Sequence, residues 1–452
     1  MGEPLDVIVI GAGLSGLAAA VALQAAGLRY TVVEARERLG GRVFTHPAGV
    51  DLGASWLSGN VGSTVYEIAK EHGIELLPSD TARAELYGPR GALPADEAAA
   101  VAAAWDAVEE RIDELSAGLR AAGRAASYEA LLGEALAGCG AVHAARMRAM
   151  AEAHTETLYA SQASEISGAF FHEPPNEGDE FVFAKGFGEV VKALAAQLAP
   201  GAVQLKAAVR EVRCEAAGGV AVRLADGREL CARAAICTLP LGVLKASAAG
   251  AGSAPAFAPP LPEPQAGAID RIGFGTLNKA FAILAADPRP QDAATANLIF
   301  LPEPPPAPPA EPQPLAFPYL LKVRRRDGSV AITGLCAGAR AIEHSTVGAT
   351  SRAFLRQLEA MFGDALPQVR SVGTALWDRD EFALGSYSFM GLRAAPGDRV
   401  ALREPLWGAR LFLAGEHCES QGQGYTHGAI SSGRRAAAAV AAALAAEAAG
   451  AE

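Results

Sequence analysis

Residues 7–10 form an unbroken apolar, β-branched run, which predicts a strand buried on both faces. Small and apolar residues then predict a helix over 14–26, and a second apolar run predicts a strand over 30–33. Residues 50–53 read as a strand running into a glycine-bounded turn at 54–59, and 63–72 as a helix stopped by Gly73. From 95 to 158 the chain is rich in Ala, Glu and Arg with a 3.6-residue apolar period, and turn signals fall only at Gly123, Gly133 and Gly138–Gly140. This predicts a helical subdomain, with alanine supplying helix propensity. Strands and a helix return from 181. Asp226 and Gly227 predict a hairpin between two alternating runs, and 234–237 read as another buried strand. The proline-rich stretches 254–264 and 302–318 are expected to be surface connections, the second a long loop between strands at 298–301 and 319–323. A helix at 351–362, a strand at 411–414 and a final helix containing the Ala-rich 436–449 complete an α/β pattern without internal repeats.

Composition narrows the class. The chain has 452 residues, enough for two domains with sizeable cores, and although 50% are apolar no run approaches a membrane span. The first strand begins within six residues of Met1, so no leader is expected and the protein is read as cytoplasmic. Six scattered cysteines without a C-x-x-C pair read as reduced thiols, and the eight histidines show no ligand spacing, so no metal is expected. A net charge of −11 argues against a nucleic-acid surface.

The chemistry begins in the first turn. Gly11, Gly13 and Gly16 have G-x-G-x-x-G spacing between the strand and the helix, and Glu34 ends the second strand. The first glycine permits the turn, the second lets backbone approach a pyrophosphate, and the third allows close helix–strand contact. The helix N-terminus favours the phosphates, and Glu34 stands where an acid accepts ribose hydroxyls. The pattern predicts a dinucleotide. Gly40, Gly41 and Arg42 add backbone and a fixed cation, which suits a resident flavin better than an exchanging nicotinamide.

Several further segments stand in a consistent order: ARERLGGRV, VDLGASW, CTLPLGVLKAS, RIGFGTLNKAFAIL, the stretch 377–387 and LAGEHCESQGQGYTHGAISSG. Together they resemble the flavin-containing amine oxidases, a family of monoamine oxidases, polyamine oxidases and lysine-specific histone demethylases. TLPLGVLK and GFGTLNK lean toward the polyamine oxidase and demethylase branch. The resemblance implies FAD, with Gly11, Gly13, Gly16, Gly41 and Arg42 at the phosphates and Glu34 and Arg36 near the adenosine. It further implies Val209 at the adenine, Glu416 near the ribityl or pyrophosphate, and Trp377 and the Thr426 N–H near the isoalloxazine. Lys279 would hold a water against the flavin, and Tyr387 and Tyr425 would form an aromatic sandwich in front of it. Taken without the family, Glu416 and Thr426 read as helix-approach residues, Trp377 as core and Lys279 as an edge-strand lysine.

The departures also carry expectations. Ser386 stands where monoamine oxidases have the cysteine that binds flavin covalently, which implies noncovalent FAD. Ser58 stands where many animal polyamine oxidases have His, so the anchor for a distal ammonium must differ. Cys418 reads as a small buried thiol, while Glu156 and Tyr159 fall where pocket residues are expected. The implied fold is a Rossmann-like FAD-binding domain (1–79, 179–248, 402–452) interleaved with an α+β substrate domain (80–178, 249–401). The implied reaction is oxidation of a spermine- or spermidine-type amine by FAD and O2, giving hydrogen peroxide. A primary-amine oxidase acting on putrescine or an aromatic amine, an L-amino-acid oxidase needing an arginine clamp (Arg271 or Arg340) and a flavin-stabilised binding protein remain as alternatives. Neither a membrane nor a nucleic-acid partner is expected, and the oligomeric state stays open.

Overall fold

A computed structural model describes residues 5–81, 83–171, 176–216, 218–289, 293–302, 317–343 and 346–450. Strand Leu5–Ile10 lies inside an eight-stranded sheet, parallel to Tyr30–Val33 on one side and Glu229–Cys237 on the other. Val7, Ile8, Val9 and Ile10 are at most 1% exposed, which is why the run is continuous rather than alternating. Antiparallel Val220–Leu224 and Val209–Cys214 extend the sheet through the hairpin at Asp226 and Gly227, and Leu411–Leu413 joins Glu229–Cys237 from the far end of the chain. Helices Leu14–Ala25 and Thr426–Gly450 pack together over one face. Their approach depends on glycine. A Cβ on Gly16 would lie 1.9 Å from the Gly11 carbonyl oxygen, and one on Gly433 would lie 2.0 Å from that of Ser15.

The second, seven-stranded sheet runs in the order Val369–Ala375, Leu277–Leu284, Val330–Ala337, Tyr319–Arg324, Thr295–Phe300, Glu85–Gly88, Gly91–Ala92. One face buries Phe300, Leu320 and Ile332 against Phe354 and Leu358 of helix Val347–Phe362. The other buries Leu86, Ile299 and Tyr319 against Trp105, Leu131 and Met150 of the helical layer Ala95–Ala122, Tyr128–Ala135 and Ala141–Ala151. That layer continues into a π-helical stretch, Glu152–Glu156. Gly123 ends its first helix in the left-handed conformation, whereas Gly133 lies inside the second and does not mark a turn.

Several expectations change. Residues 254–264 are not simply loop: Ala256–Ala258 forms an edge strand beside Val209–Cys214, and Pro264 sits in the first turn of helix Glu263–Arg271. Proline is tolerated at both places because neither requires its missing N–H. Strand and helix therefore extend the first sheet and its core past the expected boundary at 248. Phe181–Phe183 joins a small separate sheet with Trp56–Leu57 and Leu76–Pro78. Most of the proline-rich loop at 302–318 lies outside the described residues; the strands expected on either side of it are present, and they pair antiparallel. Cys418 is fully buried, as read. Among the described residues, no helix is long and apolar enough to cross a membrane.

Candidate active site

One cavity of about 1030 Å³ runs from the glycine turn, past Lys279, to the helical layer. Gly11 and Gly13 line it, while Gly16 stands behind them as the close-packing glycine. Glu34 is fixed by two backbone donors, Ala12 N–H to Oε2 and Arg36 N–H to Oε1, both at 2.8 Å. Each carboxylate oxygen keeps a lone pair for a ribose hydroxyl. Arg36 is held by Asp380 at 2.6 Å, and Val209 lines the same end. Sequence reasoning missed Ser15, inside the motif. Its hydroxyl is buried without a partner at the helix N-terminus and lines the cavity, which fits a phosphate acceptor.

Arg42 and Glu416 close the next section. Arg42 Nη1 donates to Glu416 Oε1 at 2.7 Å and to the Ser386 carbonyl at 2.9 Å. Glu416 Oε2 accepts from Ser388 Oγ at 2.5 Å and Gly424 N–H at 3.0 Å. Burial raises the Glu416 carboxyl, but Arg42 and the Ser388 hydrogen bond outweigh it and hold the group at about 2. Ser386 does more than replace a cysteine: its Oγ accepts from Leu277 N–H at 2.7 Å and donates to Leu277 O at 3.1 Å. The helix beginning at Thr426 points its N-terminus into the cavity beside Gly41, Arg42 and Trp377. Such a terminus favours negative charge, as on a phosphate or a reduced isoalloxazine. Backbone approach at Gly13 and Gly41, the unpartnered Ser15 hydroxyl, the fixed carboxylates and this terminus together fit FAD.

Lys279 is no edge lysine. Strand Leu277–Leu284 lies between Val369–Ala375 and Val330–Ala337 and is buried on both faces, leaving Lys279 3% exposed. Its Nζ donates to Gly53 O at 2.6 Å and Ser55 Oγ at 2.7 Å, and lies 5.5 Å from the Trp56 ring centroid. Two of three ammonium hydrogens are thereby used, leaving one for the cavity it lines. Burial lowers the Lys279 pKa, opposed by the charge of Asp51; burial raises Asp51, opposed by Thr45, the Phe187 N–H and Lys279. Asp51 and Ser55 were invisible as site residues because each is an ordinary polar residue of the VDLGASW strand-turn.

Tyr387 and Tyr425 line the cavity with Lys279, and the Tyr387 hydroxyl donates to Thr157 O at 2.7 Å. That bond ties Tyr387 to the end of the π-helical stretch, a feature found frequently at functional sites, while Tyr425 stacks on His427 with ring centroids 5.4 Å apart. Burial, with Tyr425 and Glu416 nearby, raises the Tyr387 phenol far above its ordinary range, so it remains neutral. Trp377 Nε1 donates to Leu52 O at 2.9 Å, holding its ring against this section. Tyr159 lines the cavity, whereas Glu156 turns away to accept from Ala163 N–H at 2.8 Å. Arg271 is bound to Asp398 and Arg340 to Glu152, and neither lines the cavity, so no carboxylate clamp forms from them.

The sequence profile described as flavin containing amine oxidoreductase matches residues 14–441. "Polyamine oxidase 1" of Oryza sativa subsp. japonica is 31% identical over 521 residues, covering 95% of each chain. "Lysine-specific histone demethylase 1 homolog 1" of Arabidopsis thaliana is 29% identical over 96% of this chain, which spans only 52% of that relative. The solved structure of cyclohexylamine oxidase from Brevibacterium oxydans IH-35A shares the fold, with a TM-score of 0.76 over 98% of this chain and 100% of the other at 21% identity. On the strength of the profile match and the polyamine oxidase likeness, this chain belongs to the flavin-containing amine oxidoreductase family.

Proposed function

We propose that this FAD-dependent amine oxidoreductase oxidises a C–N bond of a polyamine of the spermine or spermidine type. The carrying observation is that the buried Lys279 and the half-buried Tyr387 and Tyr425 open on the same cavity as the glycine turn. The similarity to a polyamine oxidase over 95% of both chains supports the substrate class. Bound FAD supplies a hydride acceptor at N5 and is returned to its oxidised form by O2, which leaves as hydrogen peroxide. The protein's part is positioning. Tyr387, braced by its bond to Thr157, and Tyr425 make a slot that orients the amine and surrounds its nitrogen with π density. The low-dielectric walls disfavour the ammonium form, so the amine sits there with its lone pair free. Lys279 keeps one N–H available for an ordered water beside the cofactor. The imine product hydrolyses in water to an aldehyde and an amine.

Anaerobic mixing with spermine, spermidine, their acetylated forms, putrescine, an aromatic amine and amino acids tests the reading. Bleaching of the flavin band is expected with the polyamines first; no bleaching by any amine would sink the oxidase proposal. FAD is held without a covalent bond, because Ser386 presents a hydroxyl already engaged with Leu277. Acid precipitation should therefore release all the flavin into the supernatant, and a yellow pellet would contradict this.

A further inference from the structure

The loop at 422–428 is packed more closely than the entry to a helix requires. Gly422 is left-handed, with φ of +74°, and a Cβ there would lie 2.3 Å from His427 Nε2. A Cβ on Gly428 would lie 2.1 Å from the Gly422 carbonyl oxygen. Gly422 thus leaves the His427 imidazole its place, and Gly428 lets the loop close down on the helix beginning at Thr426. Tyr425 N–H donates to Gly422 O at 3.2 Å, and the Tyr425 and His427 rings stack with their planes 22° apart. Tyr425 lines the cavity and His427 does not, so the imidazole backs the tyrosine ring away from the cavity. Burial lowers the His427 pKa, and the start of a helix disfavours a cation beside it, so the imidazole is neutral near pH 7.

The opposite wall of the slot is held in another way. Tyr387 is fixed through its hydroxyl, on Thr157 O. The same loop also runs beside that ring: a Cβ on Gly424 would lie 3.6 Å from Tyr387 Cδ2, and the Gly424 N–H donates to Glu416 Oε2. The χ2 preference of a tyrosine is broad, so a half-buried ring turns about that bond unless a neighbour stops it. A stacked ring is such a stop. We propose that His427 is a positioning residue of the slot: its imidazole fixes the plane of the Tyr425 ring opposite Tyr387, and with it the angle at which an amine meets the cofactor. The inference rests on the amine-oxidase reading of the cavity. It also accounts for the spacing of Gly422, His427 and Gly428, which the turn alone does not require.

The FAD-loaded protein tests this as wild type, His427→Ala, His427→Gln, Tyr425→Leu and the double variant His427→Ala/Tyr425→Leu. Three quantities are measured: the limiting rate of flavin bleaching on anaerobic mixing with spermidine, the FAD Kd by fluorescence titration, and the near-ultraviolet circular dichroism without amine. His427→Ala should slow bleaching by about tenfold, because the ring that orients the amine loses its backing. On the Tyr425→Leu background the same change should cost less than about twofold, since no ring remains to be positioned. His427→Gln, whose planar amide can lie on the ring, should recover part of the rate. The FAD Kd of His427→Ala should stay within about threefold of wild type. The dichroism of a fixed tyrosine should weaken in His427→Ala and should not change further when His427→Ala is added to Tyr425→Leu. An unchanged rate in His427→Ala, an equal loss with and without the Tyr425 ring, or an FAD Kd raised as far as the rate falls would each overturn the proposal. The last would mean that His427 merely supports the start of the helix. If spermidine does not bleach the wild-type flavin, the polyamine reading fails by itself. The dichroism comparison then still decides whether His427 fixes the ring.

Discussion

Lys279→Met is expected to bind FAD and to slow turnover of a good amine by well over tenfold, about 1.4 kcal/mol or more of barrier. Methionine keeps the length and apolar packing of the lysine stem beside Trp56 but removes all three N–H donors. Gly53 O and Ser55 Oγ lose their partner, and the cavity loses its one cation at the join between cofactor and substrate halves. FAD retention is expected because the residues proposed to hold the adenosine and pyrophosphate, Glu34, Arg42 and the glycine turn, lie elsewhere in the cavity. Two rates should be followed separately: bleaching on anaerobic mixing with amine, and recovery of the flavin band in oxygenated buffer. If both match wild type, Lys279 has no part in the mechanism. The sign of the pH dependence follows from the same surroundings. Burial lowers the Lys279 pKa, so any step needing its charge fails as pH rises through a value below that of an ordinary lysine. Asp51 opposes that lowering, so Asp51→Asn should move the alkaline limb to still lower pH.

The contrast between Lys279 and the glycine turn shows where sequence reading reaches its limit. Strand, turn, helix and acid over residues 6–34 are local, and each element announces itself by period or by glycine spacing. Lys279 owes its role to burial, and LNKAFAIL is buried at every position, so it has no period-two alternation from which to read which face the lysine takes. Only the two flanking strands, starting about 50 and 90 residues later, make it central. Asp51, Ser55 and Ser388 have the same problem: each acts on a partner distant in the chain, and none differs locally from a solvated polar residue. Helix Ala95–Ala122 was read as plain helix because alanine dominates it, yet Trp105, Asp106 and Glu109 turn toward the cavity. Family resemblance brought Glu416 and Tyr425 to the same cavity as Gly11, whereas periodicity alone would have left the two ends of the chain apart.

Arg42→Ala should have the largest effect on the cofactor. It removes the cation from a carboxylate, Glu416, that is 4% exposed, and breaking one side of a buried pair costs about 3–5 kcal/mol. The loss spreads because the pair joins three segments: the glycine turn carrying Arg42, the loop at Ser386 and Ser388, and the loop from Glu416 to Gly424. All three line the cavity section proposed to hold the flavin. The variant should purify with well under one flavin per chain, and its FAD Kd should rise by about a hundredfold or more, at 1.4 kcal/mol per tenfold. Arg42→Lys should restore only part of the affinity. The shorter lysine has to bring its ammonium to the place of Nη1, the one nitrogen that donates to both the Ser386 carbonyl and Glu416, and it lacks the delocalised plane that holds that nitrogen there. Adding Glu416→Gln to Arg42→Ala should recover some thermal stability of the flavin-free protein, because the unpaired charge disappears, without recovering FAD affinity. Fluorescence titration of FAD and thermal unfolding with and without it measure the two effects separately. Stoichiometric flavin with wild-type affinity in Arg42→Ala would refute the assignment of the Arg42–Glu416 pair as the clasp of the cofactor site.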